Sequence, residues 1–313
     1  MTKIRAAVIG YGNIGRFVLE ALEAAPDFEV AGVVRRDARA SGPAELARYI
    51  ITDNIATLAD VDVAVVCAPS RRVEVTAAAI LERGICTVDS FDIHPEIADM
   101  RGRLDAIARR HSAVAVVSAG WDPGSDSVVR ALMEACAPTG TTHTDFGPGM
   151  SMGHTVAARA VEGVREALSM TIPVGGGVHR REVYIELADG ADFEEVAAAI
   201  KADPYFVRDE VSVTHVPDVA ALVDMTHGVH IVREAGTPAA NCATQNAGRT
   251  AGQKFEFSMR ILNPALTAQF LVSSARAAVR LCARGSFGAR TTIELAPIDY
   301  LPGNSDEIVR RLV

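Results

Sequence analysis

The first 120 residues alternate short apolar, β-branched runs with amphipathic segments, and this pattern constrains the fold more than any other feature of the chain. "IRAAVIG" (4–10), "EVAGVV" (29–34), "VDVAVVCA" (61–68), "CTVDSF" (86–91) and "AVAVVSAG" (113–120) read as strands buried on both faces. Between them, 14–26, 71–84 and 94–111 carry apolar residues at helical spacing. Strands joined through helices of this length pair in parallel, and the helices then cover both faces of the sheet. The expected fold class is α/β, a doubly wound parallel sheet. At 313 residues the chain is also too long for one typical core, so a second domain is expected.

Beyond residue 140 the pattern changes. "TTHTDF" (141–146) reads as a strand, "GPGMSMG" (147–153) as a glycine-rich loop and 154–168 as a helix. "VHRREVYIEL" (178–187) and "KFEFSMRI" (254–261) alternate with period two, as half-buried strands do. Asp192 and Glu195 form a capping box at the start of a helix over 192–204. The small, polar stretch 234–253 reads as a mobile loop, and 264–285 as a long helix between the domains. This second part is an α+β substrate-binding and dimerisation domain over 124–263, with one antiparallel or mixed sheet. Residues 1–123 form the dinucleotide-binding domain, and 264–313 pack back on it.

Where the first strand meets the first helix stands "GYGNIG": Gly10, Tyr11, Gly12, Asn13, Ile14 and Gly15. In that context the motif is specific. Gly10 permits the tight turn, Gly12 the close approach of a pyrophosphate, and Gly15 the contact of helix with strand, while the helix N-terminus offers its N–H groups to the phosphates. These are the marks of a Rossmann-type sheet. The second strand ends in "RRD", so Arg35 and Arg36 stand where an NAD-binding fold keeps the acid for the ribose hydroxyls. Two guanidiniums suit a 2′-phosphate and favour NADP, whereas Asp37 would serve NAD if the acid were shifted along the chain. Cys67, Ala68, Pro69 and Ser70 end the next strand of the sheet and line the same crevice, or form an ordinary turn.

Later strands end in carboxylates: Asp89 and Asp92 in "VDSFD", and Asp122 in "SAGWDPG" beside Trp121, the only tryptophan. A carboxylate at such a strand end can hold a substrate ammonium or take its proton. Each alone could equally be a turn or cap residue. In the second domain Arg181 shares strand parity with Val183, Ile185 and Leu187. An arginine on that apolar face needs a partner, and a substrate carboxylate would be one. The N–H groups of Met152 and Gly153 open a helix and could bind another. His227 could hydrogen-bond a polar substrate. "HGVH" alone is too few ligands for zinc, so no metal is expected.

The net charge of −8 and a pI of about 5.5 give no basis for binding nucleic acid or an anionic membrane. No apolar run reaches the roughly 18 residues of a spanning helix. Five cysteines without a CxxC pair read as free thiols, and with no leader pattern at the N-terminus they suggest a cytoplasmic location.

"VIGYGNIGR", "TVDSFDIH", "SAGWDPG", "FGPGMSMGH", "YFVRDEV" and "NPALTAQ", in this order over nearly the whole chain, resemble the meso-diaminopimelate D-dehydrogenase family. The resemblance implies reversible NADP-dependent oxidative deamination at the D-centre of meso-2,6-diaminopimelate, giving L-2-amino-6-oxopimelate, ammonia and NADPH in lysine biosynthesis by a homodimer. It implies that the D-amino-acid end lies near Asp92, Trp121, Asp122, Met152 and Gly153, and the distal end near Thr171, Arg181, His227 and Asn263. Phe146 stands where some members have tryptophan. It also implies that Ser90, Phe91, Asp92, Trp121, Pro123 and Gly124 line the cofactor. Independently of it, hydride leaves the α-carbon only once the amine is neutral, which calls for a carboxylate base, and Asp92 and Asp122 are the candidates, with the choice between them open. The segment from Pro173 to His179 is short, and 234–253 long, for that family. The rival readings are a dihydrodipicolinate-reductase-like or homoserine-dehydrogenase-like enzyme, or a catalytically silent NADP sensor.

Overall fold

The computed structural model describes residues 3–37, 43–222, 226–236 and 252–313. The chain divides into two compact units, Met1–Val129 with Pro264–Val313, and Arg130–Asn263. The strands are β1 (Ile4–Ile9), β2 (Phe28–Val34), β3 (Ile51–Thr52), β4 (Val63–Val66), β5 (Cys86–Asp89), β6 (Val114–Val117), β7 (Gly140–Met150), β8 (Val164–Gly175), β9 (Val178–Leu187), β10 (Glu210–His215), β11 (Thr226–Ala235), β12 (Lys254–Leu262) and β13 (Gly288–Thr291). The helices are α1 (Asn13–Ala24), α2 (Ser70–Leu81), α3 (Ile97–Arg110), α4 (Ser125–Cys136), α5 (Met152–Arg159), α6 (Phe193–Ala202), α7 (Asn263–Ala283), α8 (Pro297–Tyr300) and α9 (Ser305–Leu312).

The first unit is the expected doubly wound sheet, in the order β13-β6-β5-β4-β1-β2-β3 with every pairing parallel. From β1 the chain builds outward through β2 and β3, then returns and builds the other way from β4. The order therefore reverses between β1 and β4, and ligands of such sheets bind outside the strand ends at that point. β4, β5 and β6 are buried along their whole length, as their unbroken apolar runs require. Val63 and Val65 face a core shared with Val18 and Leu22 of α1 and Leu271 and Ala275 of α7. Ala64 and Val66 face Ile80 of α2 on the opposite side. Each fully buried valine or leucine there contributes roughly 1.5–3 kcal/mol. Strand β13, which was not expected, completes the sheet beside β6.

The second unit is one mixed six-stranded sheet, β10-β9-β8-β7-β11-β12, antiparallel except for the β9–β10 pair. Helices α5 and α6 cover it through Ala158, Val196 and Ile200, against Val183 and Ile185 of β9. The expected capping box at α6 is present in its first half, with Asp192 accepting from the Glu195 N–H at 3.0 Å.

Two expectations in this unit are corrected. The helix read over 154–168 stops at Arg159. Gly163 adopts φ +87°, and the chain turns there into β8, whose Ala167 and Leu168 are buried against the sheet. Alanine, glutamate and leucine favour a helix locally, but pairing of β8 along nearly all of β9 overrides that preference. The loop read over 147–153 is strand as far as Met150. Gly147, at φ +101°, packs against the Thr171 carbonyl, and the register of the β7–β11 pair shifts close by, so the glycines mark a bulge and not a loop. Of the long stretch 234–253, residues 237–251 lie outside the described residues; 234 and 235 end β11.

Candidate active site

Three glycines at the end of β1 have three different surroundings. Gly10 holds φ +96°, and an ideal Cβ on it would lie 2.7 Å from the Cys67 carbonyl oxygen at the end of β4. Gly15, in the first turn of α1, packs directly on the Gly10 carbonyl, so no side chain fits. Gly12 has nothing within 4 Å of its Cβ position. One glycine turns the chain, one seats the helix on the strand, and the middle one leaves open backbone at the switch point of the sheet. No side chain caps the first turn of α1, whose N–H groups include those of Asn13 and Ile14. This cradle fits a dinucleotide pyrophosphate.

Arg35 and Arg36 follow β2, the neighbour of β1. The Arg35 N–H donates to the Thr52 carbonyl at 2.8 Å, which fixes the backbone there, while the Arg36 side chain is exposed. Tyr11 donates to Glu45 at 3.2 Å, and burial, then Glu45, pushes its hydroxyl up to about 12. Burial likewise pushes the Cys67 thiol up to about 12, so Cys67 packs as a neutral group. Pro69 caps α2, and Ser70 is its first residue.

The ends of β4, β5 and β6 bring the remaining first-unit residues together. Ser70 donates to Asp92 Oδ1 at 2.6 Å, tying the loop after β4 to the loop after β5. Asp89 is fully buried. Its Oδ1 accepts the N–H groups of Phe91 and Ser118, both at 3.0 Å, and its carbonyl accepts that of Ala119 at 2.6 Å. Burial raises its carboxyl to about 6, against those two hydrogen bonds. Asp89 is therefore a strut between the loop bearing Ser90, Phe91 and Asp92 and the loop bearing Trp121 and Asp122. The Phe91 ring sits in the core at 3% exposure, so only its backbone can face a cofactor. Trp121 is 8% exposed. The Asp122–Pro123 peptide is cis, and Gly124 packs on the Gly120 carbonyl and turns the chain into α4, where the Asp126 N–H donates to the Trp121 carbonyl at 3.1 Å.

In the second unit, strand register gathers residues that are far apart in sequence. His227 of β11 pairs with Gly149 of β7, Gly149 with Thr171 of β8, and Thr171 with Arg181 of β9. Directly paired residues share a sheet face, so His227, Thr171 and Arg181 form one row. Gly149 supplies the gap in it: an ideal Cβ there would lie 3.0 Å from the His227 ring. Thr171 and His227 are buried, and the Arg181 side chain is 14% exposed. His227 Nδ1 lies 2.7 Å from the Gly228 carbonyl, which can only accept, so Nδ1 carries the proton and Nε2 is the ring's other functional atom. Phe146 borders the row, its ring 6.5 Å from His227 and 5.5 Å from His179. Met152 and Gly153 open α5, next to Ser151, and Asn263 opens α7 after β12.

Sequence reading missed the partners of Arg181. Its Nε donates to Asp209 Oδ2 at 2.6 Å, and its Nη1 to the Thr171 hydroxyl. His154 Nε2 lies 3.6 Å from the same Asp209 oxygen, and His154 Nδ1 lies 2.9 Å from Ser151 Oγ. Burial, followed by Arg181, lowers the His154 pKa, so His154 is neutral near pH 7. Among the described residues no group of three or more His, Cys, Asp or Glu is placed to hold a metal ion, and no helix is long and apolar enough to cross a membrane.

Residues 120–178 match the family model for the diaminopimelic acid dehydrogenase C-terminal domain, and residues 10–89 that for the homoserine dehydrogenase NAD-binding domain. The meso-diaminopimelate D-dehydrogenase of Bacteroides fragilis is 57% identical over 313 residues, covering 100% of both chains. That of Corynebacterium glutamicum is 31% identical, covering 99% of each. The solved structure of the C. glutamicum diaminopimelate dehydrogenase in complex with diaminopimelate superposes with a TM-score of 0.86 at 30% identity, over 100% of both chains. An engineered D-amino acid dehydrogenase bound to NADP+ superposes at 0.82, again at 30% identity and 100% of both chains.

Proposed function

The chain belongs to the meso-diaminopimelate D-dehydrogenase family, and on that premise we propose how its own residues carry the reaction. The reaction is the reversible NADP-dependent oxidative deamination of the D-centre of meso-2,6-diaminopimelate, to L-2-amino-6-oxopimelate, ammonia and NADPH, a step of lysine biosynthesis. The homoserine-dehydrogenase-like alternative has support only from the nucleotide-binding part, since that model stops at residue 89 while the diaminopimelate-specific one covers 120–178.

The first unit is the dinucleotide-binding domain. Gly10–Gly15 and the start of α1 hold the pyrophosphate, Arg35 and Arg36 the 2′-phosphate, and Cys67–Ser70, Ser90–Asp92, Trp121, Pro123 and Gly124 the remainder. NADP, when bound, supplies the hydride acceptor. Before hydride can leave the D α-carbon, the ammonium on it must lose a proton, and Asp92 and Asp122 are the carboxylates for that task. Trp121 walls the reacting centre and limits water there. The second unit binds the substrate and carries the homodimer contact. The Met152 and Gly153 N–H groups take the D-end carboxylate, while Thr171, Arg181, His227 and Asn263 take the distal end, with Phe146 as its wall. The enzyme works in the cytoplasm, where its described cysteines stay as the free thiols seen in the fold.

The observation that carries the assignment of the distal substrate end is the row His227–Gly149–Thr171–Arg181. It places a guanidinium, a hydroxyl and an imidazole on one face, as recognition of a carboxylate requires. Arg181→Ala is expected to raise KM for meso-diaminopimelate about 30-fold, the worth of one charge-assisted pair, with KM for NADP unchanged. An unchanged KM for diaminopimelate would remove Arg181 from the site.

A further inference from the structure

We propose that Asp209 is a positioning residue for substrate specificity: with His154 it locks the Arg181 guanidinium into the orientation that receives the substrate's distal carboxylate. The proposal rests on the reading of Arg181 given above and deepens it.

Arginine carries large rotamer freedom, and an unrestrained guanidinium loses that freedom each time it binds an anion. Here two of its three nitrogens are already engaged. Nε donates to Asp209 Oδ2 at 2.6 Å, and Nη1 donates to the Thr171 hydroxyl. Among the described residues no hydrogen bond is made by Nη2. The planar group is thus fixed at two points and keeps donors for a further acceptor. Asp209 has a second neighbour on the same oxygen. The same Oδ2 lies 3.6 Å from His154 Nε2, and His154 is seated edge-on between Tyr205 (centroid distance 5.6 Å) and Phe206 (5.2 Å), the latter wholly buried in the core. His154 Nδ1 meets Ser151 Oγ at 2.9 Å, the residue just before the helix start at Met152 and Gly153.

A chain of contacts, Ser151–His154–Asp209–Arg181–Thr171, therefore joins the two places in this unit assigned to the two substrate carboxylates, and it would fix the distance between them. A neutral His154 leaves the Asp209 charge to Arg181.

The test is a double-mutant cycle in the full-length enzyme, with meso-diaminopimelate as substrate: wild type, Asp209→Ala, Arg181→Ala and the double variant, each checked for an unchanged thermal midpoint and NADPH affinity. Asp209→Ala is expected to raise KM about 10-fold with kcat within about threefold. On the Arg181→Ala background, the same change should add less than about twofold, because Asp209 acts through Arg181. Asp209→Glu should recover part of the loss. Multiplicative effects, or a KM unaffected by Asp209→Ala, would overturn the proposal while leaving the assigned function intact. If wild type failed to turn over meso-diaminopimelate, that function would fall first and this inference with it.

Discussion

Asp122→Asn is expected to lower kcat for meso-diaminopimelate about 10³-fold while NADPH affinity stays within a few-fold of wild type. The substitution keeps the size and planarity of the side chain, so the turn packed at Gly124 has no steric reason to change. What disappears is the negative charge beside Trp121 and the capacity to accept a proton. Oxidation of an amine needs the neutral amine, and a placed base typically contributes 10²–10⁴-fold to such a step. Asp92→Asn is the companion measurement. Asp92 already accepts a hydrogen bond from Ser70 at 2.6 Å, and its amide would keep that contact. With Asp122 as the base and Asp92 as the anchor of the ammonium, Asp122→Asn loses the acidic limb in the pH profile of kcat, while Asp92→Asn mainly raises KM; the reverse pattern would exchange the two roles. A kcat within about tenfold of wild type in both variants would refute a carboxylate base at these strand ends.

The second large effect belongs to Arg35 and Arg36. Replacing both with serine is expected to weaken NADP binding about 10²–10³-fold and NAD binding by less than about threefold. Each guanidinium–phosphate contact is a charge-assisted hydrogen bond of roughly 1.5–3 kcal/mol, present only with the 2′-phosphate. The backbone there does not depend on the side chains, since the Arg35 N–H is held by the Thr52 carbonyl. Equal weakening of both dinucleotides would mean that the arginines only shape the loop.

How much of this was legible in the sequence depended on how local the cause was. The glycine motif was readable because each glycine answers a need within a few residues or at the adjacent strand end: a positive φ at Gly10, contact of Gly15 with Gly10, open space at Gly12. The buried strands of the first unit announced themselves as unbroken apolar runs. In the second unit, Arg181 stood out because its parity matched Val183 and Ile185. Strand β8 did not, because residues 165–168 are good helix formers and the pairing that makes them a strand comes from β9. The partner of Arg181 was invisible for the same reason. Asp209 comes just before β10, the strand that runs parallel to β9, and only that pairing brings it to the guanidinium. By sequence, Asp89 is one strand-end acid among three. Its role as a strut needs Phe91 and Ser118 on separate loops, which periodicity does not report.

Oxidation of the D-centre of meso-diaminopimelate with NADP underlies every assignment above. It is tested most directly by following the near-ultraviolet absorbance of the reduced nicotinamide with purified protein, NADP and the meso isomer, against the LL isomer and against NAD in place of NADP. The expected result is a rising signal with the meso isomer and NADP, with ammonia formed in equal amount, no signal with the LL isomer, and a rate with NAD lower by about 10²-fold or more. Absence of turnover with the meso isomer and NADP, or equal rates with the LL isomer, would contradict it.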